Sequence, residues 1–152
     1  MTIEVEIQRA SSLPAVPSDP QFRQWAAAAL MELDEAELLI RIVDLDESRE
    51  LNFRFRNRNQ ATNVLSFPSE LPEEIDLPLL GDVIICAPLV EAEAGQQNKE
   101  PMAHWAHLTI HGILHLLGYD HQTEDEAARM EALETSLLRS LDIQDPYYFC
   151  DD

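Results

Sequence analysis

The sequence has few cysteines and few basic residues, and it contains no long hydrophobic run. Cys86 and Cys150 are the only cysteines in 152 residues, so we expect no disulfide framework. No stretch approaches the roughly 20 apolar residues that cross a bilayer. Acidic residues follow Met1, where a secretory signal would carry positive charge. We therefore expect a cytoplasmic protein that does not span a membrane.

Basic residues are strongly outnumbered by acidic ones. The sequence has ten Lys and Arg residues and 29 Asp and Glu residues, so its formal net charge is −19. This charge repels polyanions and argues against indiscriminate nucleic-acid binding. The exception is a cluster of four cations within ten positions, at Arg49, Arg54, Arg56 and Arg58. This cluster is either a solvated helix face balanced by neighbouring acidic residues or a local anion-binding surface.

The hydrophobic pattern predicts one domain, residues 1–152, of the α+β class. The length fits a single core, and the hydrophobic fraction of 45% is typical of a globular protein. Alternating or branched apolar runs predict about four strands, at residues 3–7, 38–43, 63–67 and 82–87. Apolar stripes predict a first helix from a cap at Ser18 or Asp19 to Leu33, and we place the cap of a second helix, which runs to about Arg56, at Asp46. Further helices are predicted at residues 89–97, 101–117 and 124–141. We expect a small mixed sheet with helices packed over it, an exposed loop at residues 69–78 and an irregular tail at residues 142–152.

Three histidines have the spacing of metal ligands. His111 and His115 are four residues apart in the predicted helix 101–117, so both imidazoles leave the same face. Gly118 can adopt a positive φ and end the helix, which turns the chain back toward His121. Three neutral imidazoles leave the fourth position of a tetrahedral Zn²⁺ to water, as in catalytic sites. We therefore predict one Zn²⁺ per chain on His111, His115 and His121, on this helix and the turn after it.

Neighbouring residues narrow the chemistry of this site. The segment from His111 to His121 matches the H-E-x-x-H-x-x-G-x-x-H zinc signature except at Gly112, where metallopeptidases carry the Glu that acts as general base. Met130 falls inside the predicted helix 124–141 and cannot form the Met-turn of those enzymes. His104 and His107 lie near the same helix face and are rival ligands, although we interpret His107 as a packing residue or a support for a ligand. We interpret Asp120 as part of the turn or as a similar support.

Phosphodiester cleavage suits these residues better than peptide hydrolysis. A zinc-bound water with a pKa near 7 is a nucleophile without a strong protein base, and the metal can polarise a phosphoryl oxygen. The reaction then needs mainly one further cation, and guanidinium binds phosphate through paired donors. The arginine cluster is the candidate source of that cation.

Three strings along the chain carry a family resemblance. They are LNFRFRNRNQATNVLSFP at residues 51–68, GDVIICA at residues 81–87 and HGILHLLGYDH at residues 111–121. Together they resemble the YbeY family of bacterial rRNA maturation factors. The order of the strings and the chain length extend the resemblance over nearly all of the sequence.

The resemblance implies a single domain with single-strand-specific, zinc-dependent endoribonuclease activity, a hydrolase acting on RNA phosphodiester bonds. It implies a role in maturing the 3′ end of 16S rRNA and in ribosome quality control. The family's zinc ligands map onto His111, His115 and His121, and its functional arginine maps onto Arg56, beside Phe55 where many relatives have Tyr. Expected partners are single-stranded RNA or the 16S rRNA precursor, the small ribosomal subunit and a ribosome-associated GTPase, with no membrane and no DNA.

Two other functions stay open at this point. A metallopeptidase could use a different base, although Gly112 argues against it. A non-catalytic ribosome assembly factor could use zinc only to fix the loop after Gly118, and it would then close the metal with a fourth protein ligand such as His107. Neutral imidazoles also bind Ni²⁺ and Cu²⁺, so the spacing of the histidines does not fix the metal.

Overall fold

The computed structural model describes residues 2–14, 16–69, 78–120 and 122–143. Most of the predicted loop 69–78 and tail 142–152 therefore lies outside the described residues, as do His121 and Cys150. Within the described residues the chain forms four strands and five helices. In chain order these are β1 (Thr2–Arg9), α1 (Asp19–Ala29), β2 (Glu35–Val43), α2 (Leu45–Arg56), β3 (Val64–Pro68), β4 (Leu79–Cys86), α3 (Ala87–Gln96), α4 (Pro101–Leu116) and α5 (Glu124–Ser140).

The four strands form one mixed sheet in the order β1-β2-β4-β3. β1 pairs parallel to β2 and β2 parallel to β4, whereas β3 runs antiparallel to β4. β1, α1 and β2 therefore make a parallel crossover. The prediction of an α+β fold with a mixed sheet of about four strands is confirmed. β3 lies at one edge of this sheet, and its residue Ser66 contacts both α4 and Arg56.

Local sequence explains how the first two helices begin and end. Ser18 and Gln21 form a reciprocal capping box at the start of α1, with Pro20 in its first turn. The predicted cap is confirmed, but α1 ends at Ala29 because the chain must reverse before β2. The cap that we placed at Asp46 is wrong. Asp44 occupies that position, and α2 ends where Asn57 takes a left-handed φ of 57°.

Helix α4 lies at the centre of the fold. It packs against α1, α3, α5 and the β3 and β4 side of the sheet. Ten of its 16 residues are buried, so the helix is held on most of its circumference and its side chains have fixed positions. The main core combines α1 and α4 with one face of the sheet. A smaller cluster covers the other face, where Leu65, Ile84 and Cys86 meet Leu51 of α2 and Leu89 of α3. None of the described helices is both long enough and apolar enough to cross a membrane.

Candidate functional site

Four histidines form a row along α4. The ring centroids of His104 and His107 are 6.2 Å apart, those of His107 and His111 are 6.1 Å apart, and those of His111 and His115 are 4.7 Å apart. Steps of three and four residues keep successive side chains on one helix face. The row runs from the buried His104 to the partly exposed His111 and His115. The candidate site is therefore sought at the end of the row that reaches solvent.

The structure brings together two of the three predicted zinc ligands. The Nε2 atoms of His111 and His115 are 3.2 Å apart. Two imidazole nitrogens bound to one tetrahedral Zn²⁺ are separated by about 3.3 Å, given Zn–N distances of about 2.0–2.1 Å. The two rings thus have the spacing that a shared ion requires. The third predicted ligand, His121, lies outside the described residues, but Gly118 has the predicted positive φ, at 103°.

Glu134, which was not among the residues predicted for the site, contacts two of these histidines. Its side chain is fully buried, at 0% exposure, on α5. One carboxylate oxygen accepts a hydrogen bond from Nδ1 of His111, and the other lies 3.2 Å from Nε2 of His107. A buried carboxylate is costly unless it is paired. These contacts therefore fix the position of Glu134 and, with it, the orientation of both rings.

The contact with Glu134 also decides which nitrogen of His111 carries a hydrogen. An ionised carboxylate can only accept hydrogen bonds, so a neutral His111 beside an ionised Glu134 would carry its hydrogen on Nδ1 and its lone pair on Nε2. That lone pair faces His115. Histidines that bind metals commonly donate their other ring N–H to a carboxylate in this way. This orientation would suit His111 to bind a metal through Nε2.

His107, His111 and Glu134 form a group that could itself hold a metal ion. Each offers one ligand atom, and these atoms lie within 4.8 Å of one another. Nδ1 of His111 and Glu134 are in direct hydrogen-bond contact. The Nε2 atoms of His111 and His115, 3.2 Å apart, offer a second pair of ligand atoms. The donors suit Zn²⁺ as well as other divalent transition metals.

His104, considered as a rival ligand, has a different role. Its Nε2 lies 2.8 Å from Oε1 of Glu93, and Asn63 donates to the same carboxylate at 3.1 Å. Burial lowers the pKa of His104, and the hydrogen bond to Glu93 opposes that effect only in part. His104 therefore joins α4 to α3 at the closed end of the histidine row.

Gly112 faces the sheet, which explains why the peptidase base is absent. A Cβ atom at this position would lie 2.7 Å from Cγ1 of Val83 and 3.2 Å from Cγ2 of Val64. Both neighbours are β-branched side chains with restricted χ1, so a glutamate could not enter without displacing β3 and β4. The departure from the zinc peptidase signature is therefore a packing requirement of this fold.

Arg56 is linked to α4 through β3. Its Nη2 donates to the carbonyl oxygen of Ser66 at 3.1 Å, and the Ser66 hydroxyl donates to the carbonyl oxygen of Gly112 at 2.8 Å. Arg56 is thus two hydrogen bonds away from the residue next to His111. Arg54, by contrast, pairs with Glu50 at 3.2 Å on the exposed face of α2. The arginine cluster therefore contains both a solvated ion pair and a cation held on β3 by a backbone carbonyl.

These features define a class of protein, namely a mixed α+β domain whose central helix carries a candidate metal centre. A family model described as Endoribonuclease YbeY matches residues 7–142. A protein named Endoribonuclease YbeY from Pseudomonas fluorescens is 58% identical over 147 residues, covering 95% of this chain and 96% of the relative. A protein of the same name from Cellvibrio japonicus is 56% identical, covering 95% of this chain and 82% of the relative. The chain belongs to the YbeY endoribonuclease family, and the resemblance predicted from its three strings is confirmed.

A solved structure shows the same fold. The solution structure of a Thermotoga maritima protein matches with a TM-score of 0.58 and 24% sequence identity, covering 95% of this chain and 99% of that protein. At this identity the likeness concerns the fold alone. It supports the strand order and helix packing described above.

Proposed function

We propose that this chain is a zinc-dependent endoribonuclease that cleaves single-stranded RNA. Zn²⁺ would be held by His111, His115 and His121, and Arg56 would bind the scissile phosphate. The observation that carries the proposal is the 3.2 Å separation of the two Nε2 atoms, which matches two ligands of one tetrahedral ion. Membership of the YbeY family supplies the reaction class, since relatives 56–58% identical are named endoribonucleases.

The protein's own residues prepare the site in two ways. When bound, zinc would lower the pKa of a water molecule and polarise a phosphoryl oxygen. Glu134 accepts the Nδ1 hydrogen of His111 and so presents Nε2 as a lone-pair donor. Gly112 lets α4 lie directly against β3 and β4. That close packing brings Ser66, which accepts a hydrogen bond from Arg56, against Gly112 of α4.

Arg56 is suited to the phosphate for a structural reason. Guanidinium has five N–H donors in a planar fork and stays charged at any physiological pH. One donor of Arg56 binds the Ser66 carbonyl, which anchors the side chain, while the residue itself is exposed. An anchored guanidinium loses less conformational entropy when it binds an anion. It would compensate negative charge that develops on the phosphate during cleavage.

The cellular role follows from the family rather than from the geometry. We place the activity in maturation of the 16S rRNA 3′ end and in ribosome quality control, in the cytoplasm. The partners would be the small ribosomal subunit and a ribosome-associated GTPase. Residues 1–152 would act as one endoribonuclease domain, without a requirement for DNA or a membrane.

Cleavage assays with matched variants test the proposal. Purified protein is incubated with single-stranded RNA and, separately, with the same RNA annealed to its complement. We expect wild-type protein to cut the single strand, and His115→Ala and Arg56→Ala to lose at least about 100-fold, the order of effect seen when one electrostatic stabiliser is removed. Arg54→Ala is the matched control, since Arg54 is an exposed cation on the same helix. Equal cleavage by all four proteins would refute the assignment.

A further inference from the structure

An exposed aromatic surface lies beside the candidate site. Phe55 is 57% exposed on α2, and its ring packs against Phe67 of β3 with centroids 5.1 Å apart and planes inclined by 60°. The guanidinium carbon of Arg56 lies 6.0 Å from the centroid of the Phe67 ring. We refer to Phe55, Arg56 and Phe67 as the aromatic surface. It joins two rings and one cation on neighbouring elements.

The aromatic surface is connected to the metal centre through edge strand β3. Phe67 follows Ser66, whose hydroxyl bonds the Gly112 carbonyl and whose own carbonyl receives Arg56. Alternation along the strand sends Ser66 toward α4 and Phe67 toward α2. The aromatic surface and the histidine helix therefore lie on opposite sides of edge strand β3, and the Ser66 hydrogen bonds link them.

Charge restricts what can bind there. The chain carries only ten Lys and Arg against 29 Asp and Glu, and four of those ten lie at residues 49–58. A polyanion is repelled by most of the molecule and attracted at this segment. Sites that hold single-stranded nucleic acid combine cations along the backbone with aromatic rings on which bases stack. An isolated exposed phenylalanine would be ordinary, but here the ring packs on Phe67, and the guanidinium of Arg56 lies beside the same Phe67 ring.

We propose that the aromatic surface is a stacking site for one base of single-stranded RNA, whose phosphate is bound by the adjacent Arg56. The proposal rests on the proposed function and adds a reason for strand selectivity. A base can lie on Phe55 only when it is unpaired and turned out of a helix, because a paired base is covered by its neighbours. Stacking also tolerates every base, since each has a π face.

Phe53 provides a matched control on the same helix. It is 49% exposed, but two residues along an α-helix turn the side chain by about 200° relative to Phe55. It therefore points away from β3. Three variants of Phe55 separate the contributions of the ring. Phe55→Ala removes it, Phe55→Leu keeps apolar contact with Phe67 without a π face, and Phe55→Tyr keeps both.

The test measures the affinity of the full chain for a fluorescent single-stranded RNA of about 12 nucleotides by anisotropy, with RNA integrity checked on a gel. Thermal unfolding of each variant verifies folding. We expect Phe55→Ala and Phe55→Leu to bind about 5- to 150-fold more weakly, the range for one stacked base. Phe55→Tyr should stay within about twofold of wild type, and Phe53→Ala should be unchanged.

Salt dependence distinguishes stacking from an indirect effect on Arg56. Losing one phosphate contact reduces the slope of log affinity against log salt by about 0.7 for a single strand, whereas losing a stacked base leaves the slope unchanged. Phe55→Ala should therefore run parallel to wild type, and Arg56→Gln should not. Equal affinities for Phe55→Ala and Phe53→Ala, or a reduced slope in Phe55→Ala, would overturn the stacking site. A wild-type protein that neither binds nor cleaves RNA would instead refute the proposed function.

Discussion

Replacing Glu134 tests how the metal centre is built, because this residue connects two helices through two imidazoles. Glu134→Gln preserves the size of the side chain, and its amide oxygen can still accept from Nδ1 of His111, but the negative charge is lost. Glu134→Ala removes both the hydrogen bond with His111 and the interaction with His107. Glu134→Gln therefore removes part of the interaction that orients His111, and Glu134→Ala removes all of it.

The expected magnitude follows from how much of this support each variant removes. Removing the partner that orients a metal-binding histidine typically reduces metal affinity by about 10- to 100-fold, which corresponds to about 1.4 to 2.8 kcal/mol. Because Gln retains one hydrogen bond, we expect Glu134→Gln to lie near the 10-fold end. Glu134→Ala should lie near the 100-fold end, since it allows His111 to rotate and to change tautomer.

Competition for Zn²⁺ with a chromophoric chelator measures these affinities without any RNA. Circular dichroism of the metal-free variants verifies that they fold. Glu131→Gln is the matched control, because Glu131 is an exposed residue on the same helix. Affinities of both Glu134 variants equal to that of the control would contradict an orienting role.

The same assay distinguishes the two positions available to an ion. If the ion binds between the Nε2 atoms of His111 and His115, His115→Ala should reduce affinity far more than His107→Ala. An ion held by His107, His111 and Glu134 would reverse that order. The reversed order would refute the placement inferred from the 3.2 Å separation.

The remaining predictions concern stability. Gly112→Ala should destabilise the protein by about 1–3 kcal/mol through overpacking against Val83. Gly95→Ala is the control, because its added Cβ meets nothing within 4 Å, and it should be neutral or stabilising. Urea unfolding measures the free energy of unfolding of both variants. Hydrogen bonds from Ser11 and Ser12 lower the pKa of Asp44 below 3.8. A lowered carboxyl pKa stabilises the fold above about pH 3.8 and this contribution is lost as pH falls through the folded-state value. The stability difference between wild type and Asp44→Asn should therefore shrink on acidification below about pH 4, and a constant difference would contradict it.

The elements could be predicted because each carries a strong local pattern, while their boundaries depended on tertiary structure. We began the second strand at residue 38, but it starts at Glu35 because polar residues there continue the pairing with β1. We ended the last strand at residue 87 on account of Pro88. Instead Ala87 begins α3, since a proline in the first turn of a helix sacrifices no intrahelical hydrogen bond. Hydrophobic periodicity cannot decide to which element a residue at such a boundary belongs.

The residues of the candidate site likewise fall into those that a local pattern predicts and those that only tertiary packing brings to the site. His111 and His115 were recognisable because a four-residue spacing is a local property of one helix. Glu134 is 19 positions beyond His115 and meets the site only through the packing of α5 on α4. One signal was nevertheless present, since Glu134 stands on the apolar stripe of α5 with Met130, Leu137 and Leu138. A carboxylate on a buried face requires a partner, and the unassigned histidines were the available partners.

The net charge of −19 is hard to reconcile with an RNA enzyme until the surroundings of its cations are considered. Arg9 pairs with Asp19, Arg41 with Glu47 and Arg54 with Glu50, so these charges are largely compensated where they stand. Arg56 is bound instead to a neutral carbonyl, and it keeps its full positive charge beside the exposed ring of Phe55. At physiological salt, screening over about 8 Å separates this point from much of the acidic surface. Under the proposed function, the acidic excess would repel RNA over much of the surface, and the edge of β3 beside Arg56 would be the favoured approach.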